Sequence, residues 1–275
     1  MNWILSDLWQ FDFFRNAMLT AFLAAVSCGL AGTYIVSRRM VFISGGLTHA
    51  SFGGIGIGYF FGFNPILGAA LFAVLSALGI EYASKRISVR EDSAIAILWS
   101  FGMAVGIIFV FLTPGYAPNL MNYLFGSILT VSREDICFLL GLTIIMLVFF
   151  IFFFRLILFT AFDENFAITR RMPVQFINYS MMILIALTMV FNIRVAGIIL
   201  VLSLLTIPQT IASIFTHDFF RMAVISMVAG WVGIFGGLMF SYSLDIPSGA
   251  SIIFLLVILF FIARLISYFL HRKAG

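Results

Sequence analysis

The chain has 275 residues, of which 63% are hydrophobic and 9% charged, and its mean hydropathy is +1.17. A soluble domain is about half apolar and a quarter charged, so this composition excludes an ordinary water-soluble fold. The net charge of +4 is small, and we expect no nucleic-acid partner.

Apolar runs of about 20 residues, enough for a helix to cross the hydrocarbon core, recur along the chain. We expect an all-α fold, a polytopic transmembrane helical bundle that forms a single domain over residues 1–275, with an interfacial segment at 1–15. Nine runs qualify, the second being the least apolar, and eight crossings remain possible if one run only dips into the membrane. The predicted spans are 16–36, 41–62, 65–84, 94–113, 136–158, 174–193, 195–215, 222–240 and 250–269.

Basic residues predict the orientation, because lysine and arginine are enriched in cytoplasmic loops. With the N-terminus outside and the C-terminus inside, 12 of the 15 basic residues lie on the inner side and 3 on the outer side. The inner set is Arg38, Arg39, Lys85, Arg86, Arg90, Arg155, Arg170, Arg171, Arg221, Arg264, Arg272 and Lys273.

The glycines indicate helix packing rather than nucleotide binding. The chain has no GxxxxGK[ST] loop, so we expect it to be no enzyme, with no catalytic residues and no ATP hydrolysis of its own. Small residues at every fourth position instead let helix backbones touch. This spacing occurs at Gly54, Gly58 and Gly62, at Gly102 and Gly106, and at Gly233 and Gly237.

Polar side chains at membrane depth are costly and often line a pathway, and the richest group lies in the second predicted span. Ser44, Thr48 and Ser51 fall at helical spacing on one face, and His49 lies one step round from them. Imidazole is a ligand for zinc, iron and manganese-like ions. A lone histidine is also commonly a hydrogen-bonded packing residue, and both interpretations stay open.

A second polar stripe lies in the seventh predicted span. Pro208 interrupts this span and frees a backbone carbonyl near Leu204, which serine or threonine hydroxyls or water must then satisfy. The sequence leaves open whether the stripe lines a pathway or joins helices by hydrogen bonds. Its members are Ser203, Thr206, Gln209 and Thr210.

The charged residues between spans give three further expectations. Glu81, near the inner end of the third span, is predicted to pair with Lys85 at i,i+4, and Asp245 to form a turn. The large inner loop at 159–173 has the size of a helix that docks onto a partner, although an ordinary solvated loop is the alternative. Its candidate residues are Asp163, Glu164, Phe166, Ala167, Arg170 and Arg171.

Four stretches carry a family resemblance. They are Arg38-Arg39-Met40 with Gly45-Gly46-Leu47-Thr48-His49-Ala50; Leu124-Phe125-Gly126-Ser127 with Val131-Ser132; Ala161-Phe162-Asp163 through Phe166-Ala167 to Pro173-Val174; and Val195-Ala196-Gly197-Ile198 with Ile207-Pro208 and Pro247-Ser248-Gly249-Ala250. In this order they resemble the integral membrane permeases of bacterial ABC importers for zinc, manganese and iron. The resemblance runs from about Arg15 to the C-terminus.

The resemblance implies a multi-pass permease of the bacterial plasma (inner) membrane that works by alternating access. It implies no cofactor in this chain; the transported ion is zinc, manganese or iron, and ATP is bound by a partner. The implied partners are cytoplasmic ABC ATPase subunits attached through residues 163–171, a second permease copy or sister permease, an extracytoplasmic metal-binding protein and membrane lipid. The helix that carries His49 is the expected pathway, and the stripe of residues 203–210 comes second.

Two positions depart from the family pattern. Gly45 replaces the acidic residue that normally stands four positions before the motif histidine. Two alternatives stay open: Ser44 and Thr48 oxygens assist His49, or the ion passes with little direct coordination. Arg171 replaces the usual glycine of the coupling segment.

Three rival functions remain. A permease for a chelate such as haem, a siderophore or cobalamin shares the architecture. A membrane enzyme needs paired catalytic groups at membrane depth, and the sequence shows none. An ion-coupled carrier needs a buried carboxylate, for which Glu81 is the candidate.

Overall fold

The computed structural model describes residues 10–87, 89–114 and 128–274. These residues form eleven α-helices and a short 3-10 helix, Ile128–Thr130, and they contain no β-strand. The helices are α1 (Asp12–Ser37), α2 (Phe42–Phe61), α3 (Pro65–Arg86), α4 (Glu91–Leu112), α5 (Arg133–Phe162), α6 (Glu164–Thr169), α7 (Val174–Ala196), α8 (Ile198–Leu204), α9 (Ile207–Phe215), α10 (Phe219–Leu244) and α11 (Ser248–Ala274).

Eight segments of the described chain are long and apolar enough to cross a membrane, which confirms the polytopic helical bundle. They are α1, α3, α4, α5, α7, α8 together with α9, α10, and α11. Helix α2 is regular over 20 residues but is not among the eight, because its glycines, hydroxyl residues and His49 lower its hydropathy. The described residues therefore agree with the lower of the two predicted counts, eight crossings. The N-out/C-in orientation stays a prediction.

Two predicted boundaries differ from the structure. Helix α1 begins at Asp12, inside the segment predicted to be interfacial; residues 1–9 of that segment, like the motif at 124–127, lie outside the described residues. The seventh span was predicted over 195–215 with an interruption at Pro208; a crossing segment is present over Ile198–Phe215, but its start and its breaks differ from the prediction. Helix α7 continues to Ala196, Gly197 has φ +82° before α8, and a second break separates α8 from α9.

The helices divide between two compact units. One unit comprises residues 34–121 and 146–194, and within it α2 packs against both α3 and α4. The other comprises residues 1–33, 122–145 and 195–275, and within it α8 to α11 pack together. The two candidate polar groups, on α2 and on α8–α9, therefore belong to different units.

Close backbone contacts at glycine hold α2 against its neighbours. A Cβ atom on Gly58 would lie 2.7 Å from Pro65 Cα of α3, and one on Gly102 of α4 would lie 2.5 Å from Ala50 Cα of α2. The predicted packing role is confirmed at these positions. It is wrong for Gly62, which has open space around it and ends α2 in the left-handed conformation at φ +72°, where glycine carries no Cβ penalty.

Glycines also allow close packing between α10 and α11. A Cβ atom on Gly237 would lie 2.7 Å from Ile252 Cγ1, and one on Gly233 would lie 2.8 Å from Leu256 Cγ. Helix α10 then ends at Asp245, which adopts φ +53° and donates its backbone N–H to the Ser241 carbonyl. The turn predicted at Asp245 is confirmed, because a short polar side chain tolerates this conformation.

Candidate transport pathway and coupling segment

The hydroxyl groups of the first polar stripe bond within their own helix. Ser44 donates to a carbonyl of the preceding turn at 2.6 Å, Thr48 to two carbonyls at 2.8 Å, and Ser51 to one at 2.6 Å. All three residues are buried. These bonds satisfy the hydroxyl protons locally and leave oxygen lone pairs as the groups that remain for an ion, so the predicted ligand role stays a prediction.

His49 stacks on an aromatic ring of the neighbouring helix. Its imidazole lies parallel to the indole of Trp99 on α4, with 4.6 Å between ring centroids and 3° between ring planes. Both residues are half-buried. The sequence analysis did not single out Trp99. Only the fold shows that this aromatic residue of α4 lies beside the candidate ligand of α2.

Within the described residues, no cluster of three or more His, Cys, Asp or Glu side chains could hold a metal ion. Gly45, which replaces the acid of the family pattern, is half-buried on the same helix. The predicted ligands beside His49 are thus its own imidazole and the neutral oxygens of Ser44 and Thr48, and their role toward an ion stays a prediction.

An amide bridges the break between α8 and α9. Pro208 leaves the Leu204 carbonyl without its helical donor, and the fully buried Gln209 supplies one from Nε2 at 3.1 Å. The same nitrogen donates to the Cys28 carbonyl at 2.9 Å. The prediction named the correct carbonyl but not this donor, which is a side-chain amide rather than a serine or threonine hydroxyl.

The other members of the second stripe remain near the surface. Ser203, Thr206 and Thr210 donate to carbonyls of their own helices at 3.0, 2.8 and 2.7 Å. Thr206 and Thr210 also border a cavity of about 180 Å³ that Val257 and Phe260 of α11 help to line. The stripe thus divides into Gln209, which joins helices, and three hydroxyl residues, of which Thr206 and Thr210 border a small cavity. Its pathway role stays a prediction.

The loop predicted to dock onto a partner contains the short helix α6. Asp163 caps this helix, since its carboxylate accepts the Phe166 backbone N–H at 2.9 Å. Ala167 is buried, whereas Phe166 and Arg170 are exposed, with the Arg170 guanidinium 5.3 Å from the centre of the Phe166 ring. The exposed surface of α6 thus includes this aromatic–cation pair and Ile168; contact with an ATPase stays a prediction.

Arg171 follows α6 in a conformation that suits glycine. Its φ is +55°, in the left-handed region that L-residues with a Cβ atom adopt at a cost. This backbone requirement gives a physical reason for the glycine that the family pattern has here.

The acidic residue of α6 bonds to this chain's own basic residues. The Glu164 carboxylate accepts from Arg38 at 3.0 Å, from Lys85 at 2.6 Å and from Asn178 Nδ2 at 3.3 Å. The predicted pair between Glu81 and Lys85 is wrong. Lys85 pairs with Glu164, and the buried Glu81 accepts from Asn178 Nδ2 at 3.0 Å.

Arg38 is the most deeply placed cation of this cluster. One of its nitrogens donates to the Tyr34 hydroxyl and to Asn178 Oδ1, each at 3.0 Å. Burial opposes its charge, but Tyr34 and the nearby carboxylates of Glu81 and Glu164 outweigh that effect and raise the pKa of Arg38. Sequence reasoning missed Tyr34 and Asn178; the signal for Asn178 was a polar amide near the start of an apolar span.

A family model and several known membrane proteins match this chain over most of its length. Residues 10–267 match the ABC 3 transport family. The chain is 39% identical over 254 residues to an uncharacterized membrane protein of Synechocystis sp., covering 92% of this chain and 90% of that protein. It is 33% identical over 275 residues to the manganese transport system membrane protein MntC of Halalkalibacterium halodurans, covering 100% of this chain and 93% of that protein.

A solved structure shows the same fold. The chain aligns with a chain of PsaBC from Streptococcus pneumoniae in complex with Fab, with a TM-score of 0.83 and 30% sequence identity. The alignment covers 94% of this chain and 93% of that chain.

Proposed function

The chain belongs to the ABC 3 transport family, and from this membership we propose that it is the membrane permease of an ATP-driven importer that carries Mn²⁺ into a bacterial cell. The observation that carries the choice of metal is the end-to-end similarity to a manganese transport membrane protein. The eight apolar segments fit a multi-pass protein of the bacterial inner membrane.

We assign the ion pathway to the polar face of α2. His49 offers one imidazole. The hydroxyls of Ser44 and Thr48 donate hydrogen bonds to backbone carbonyls, which leaves their oxygen lone pairs as acceptors. Mn²⁺ accepts both nitrogen and oxygen ligands. Conduction requires binding that is strong enough to admit an ion and weak enough to release it, and a site with few ligands meets the second requirement.

Energy for transport would come from partner subunits. Two cytoplasmic ATPases would dock on the exposed face of α6, where Phe166 and Arg170 form the aromatic–cation pair. A second permease copy or sister permease would complete the membrane core, and an extracytoplasmic metal-binding protein would deliver the ion. ATP binding would favour the outward-open state, and hydrolysis would reset the permease. ATP can bias the two states only by as much as its affinity for them differs.

Elemental analysis of bacteria tests this proposal. Cells that lack their native manganese importer are grown under manganese, zinc or iron limitation, with and without this permease, its ATPase and its binding protein. We expect manganese content to rise only with the complete set, with zinc and iron unchanged. A selective rise in zinc or iron would contradict the choice of metal, and no change in any metal would favour a chelate as cargo.

A further inference from the structure

Glu164 occupies the first position of α6, beside the surface predicted to meet an ATPase, yet its carboxylate is turned toward the rest of this chain. The Glu164 side chain is 21% exposed and its Arg38 partner 10% exposed. A residue so placed is a poor docking contact, because its oxygens already accept charged donors.

The partners of Glu164 come from three separate parts of one compact unit. Arg38 directly follows α1, Lys85 lies in the last turn of α3, and Asn178 lies near the start of α7. A single carboxylate thus joins the short coupling helix to the ends of three long helices. Asn178 extends the connection to the buried Glu81 on α3.

One of these partners leads directly to the proposed ion pathway. Arg38 stands four residues before the start of α2, the helix that carries His49. The intervening Arg39 holds a left-handed φ of +60°, so the chain turns sharply between the ion pair and α2. Only a short, sharply turned segment thus separates the residue that pairs with Glu164 from the beginning of α2.

We propose that Glu164 is a positioning residue that transmits movement of the coupling helix to α1, α3 and α7, and through Arg38 to the His49 helix. This inference rests on the proposed function, since it assigns Glu164 a role within the same importer. Charge-assisted hydrogen bonds are short and directional. When one partner of a half-buried ion pair is removed, the charge of the other partner is left without a counter-charge. Glu164 would then act through its own chain, while Phe166 and Arg170 meet the ATPase.

The test measures coupling rather than transport alone. The complex of permease, ATPase and binding protein is reconstituted in lipid vesicles, and the number of metal ions moved per ATP hydrolysed is measured for wild type, Glu164→Gln and Lys85→Gln. Asp92→Asn serves as the control, because Asp92 is an exposed carboxylate at the start of α4. Co-purification of the ATPase reports docking separately.

We expect Glu164→Gln to lower the ion-to-ATP ratio at least fivefold while the ATPase still co-purifies, and Asp92→Asn to leave the ratio unchanged. The variant that combines Glu164→Gln with Lys85→Gln is measured as well, and we expect its ratio to be no lower than that of Glu164→Gln alone, since residues of one network are non-additive. Lys85→Gln also keeps the test valid if Glu164→Gln fails to fold, because Lys85 is more exposed.

A wild-type ratio in Glu164→Gln or, where that variant does not fold, in Lys85→Gln would overturn the inference. Loss of ATPase binding in Glu164→Gln would overturn it too, because Glu164 would then be a docking residue. The ratio is measured with whichever metal the wild-type complex transports, so a wrong choice of metal is distinguished from a failure of the positioning role. A wild-type complex that moves no metal would contradict the proposed function itself.

Discussion

The imidazole of His49 and the indole of Trp99 lie face to face, with 4.6 Å between their centroids and 3° between their planes. The two residues come from α2 and α4, helices whose backbones approach closely at glycine. The stack restricts rotation of the imidazole about its side-chain bonds. Trp99 therefore fixes the direction in which His49 presents its ring nitrogens.

Removal of the Trp99 ring should weaken the binding of the transported ion at His49. Stacked aromatic pairs contribute about 0.5–1.5 kcal/mol, so we expect Trp99→Ala to raise the KM for Mn²⁺ uptake by roughly two- to tenfold. Trp99→Phe keeps a stacking surface and should retain most of the uptake. Equal KM values for wild type and Trp99→Ala, at equal protein levels, would show that the stack does not position His49.

A methyl group on Gly102 should destabilise the contact between α2 and α4. The added Cβ would lie 2.5 Å from Ala50 Cα and 2.6 Å from the Ala50 carbonyl oxygen, and overpacking of this kind costs about 1–3 kcal/mol. Thermal denaturation in detergent, followed by size-exclusion chromatography, should show a lower midpoint for Gly102→Ala. Gly141→Ala is the matched control, because nothing lies within 4 Å of its added Cβ; equal shifts in both variants would refute the packing argument.

Gln209 should stabilise the break between α8 and α9 more than its hydroxyl neighbours do. Gln209→Leu removes from the Leu204 carbonyl the amide donor that replaces the missing N–H of Pro208, and a buried carbonyl left unsatisfied costs about 1–3 kcal/mol. We expect a lower thermal midpoint for this variant. Thr210→Val, at an exposed hydroxyl, should change the midpoint little, and the reverse order of the two shifts would contradict the bridging role.

Arg171 should accept glycine and resist a β-branched residue. Its left-handed φ of +55° is free of Cβ strain in Arg171→Gly, whereas Arg171→Val forces a bulky residue into a conformation where it is an outlier. We expect Arg171→Gly to keep uptake and Arg171→Val to lower the thermal midpoint. Severe loss of uptake in Arg171→Gly would mean that the arginine side chain itself contacts a partner.

The membrane spans were predictable because each depends on a local apolar run. The lower count of eight was also foreseeable, since the run that falls short is the one that carries His49 and most of the polar residues of α2. The break at Gly197 was not predicted, because a glycine inside an apolar run has the same composition whether or not its φ is positive.

The hydrogen-bond network around Glu164 could not be predicted from the sequence. Glu164 and Arg38 are separated by 126 positions, and no spacing rule links residues so far apart. The i,i+4 rule predicted the wrong partner for Lys85, because it considers one helix and not the Asn178 amide that Glu81 meets from α7. The left-handed φ of +55° at Arg171 was not predicted either, although the usual glycine of the family pattern at this position agrees with it.

The most direct measurement of the central claim is uptake of radioactive Mn²⁺ into lipid vesicles that contain this permease and its ATPase, with the metal-binding protein outside and ATP inside. We predict ATP-dependent accumulation that falls at least about tenfold, equivalent to ~1.4 kcal/mol, in His49→Ala, and that persists in His217→Ala, where an exposed histidine outside the spans is removed. Accumulation of Mn²⁺ without ATP, or none with it, would contradict the assignment as a manganese importer permease. Unchanged accumulation in His49→Ala would contradict the pathway on α2.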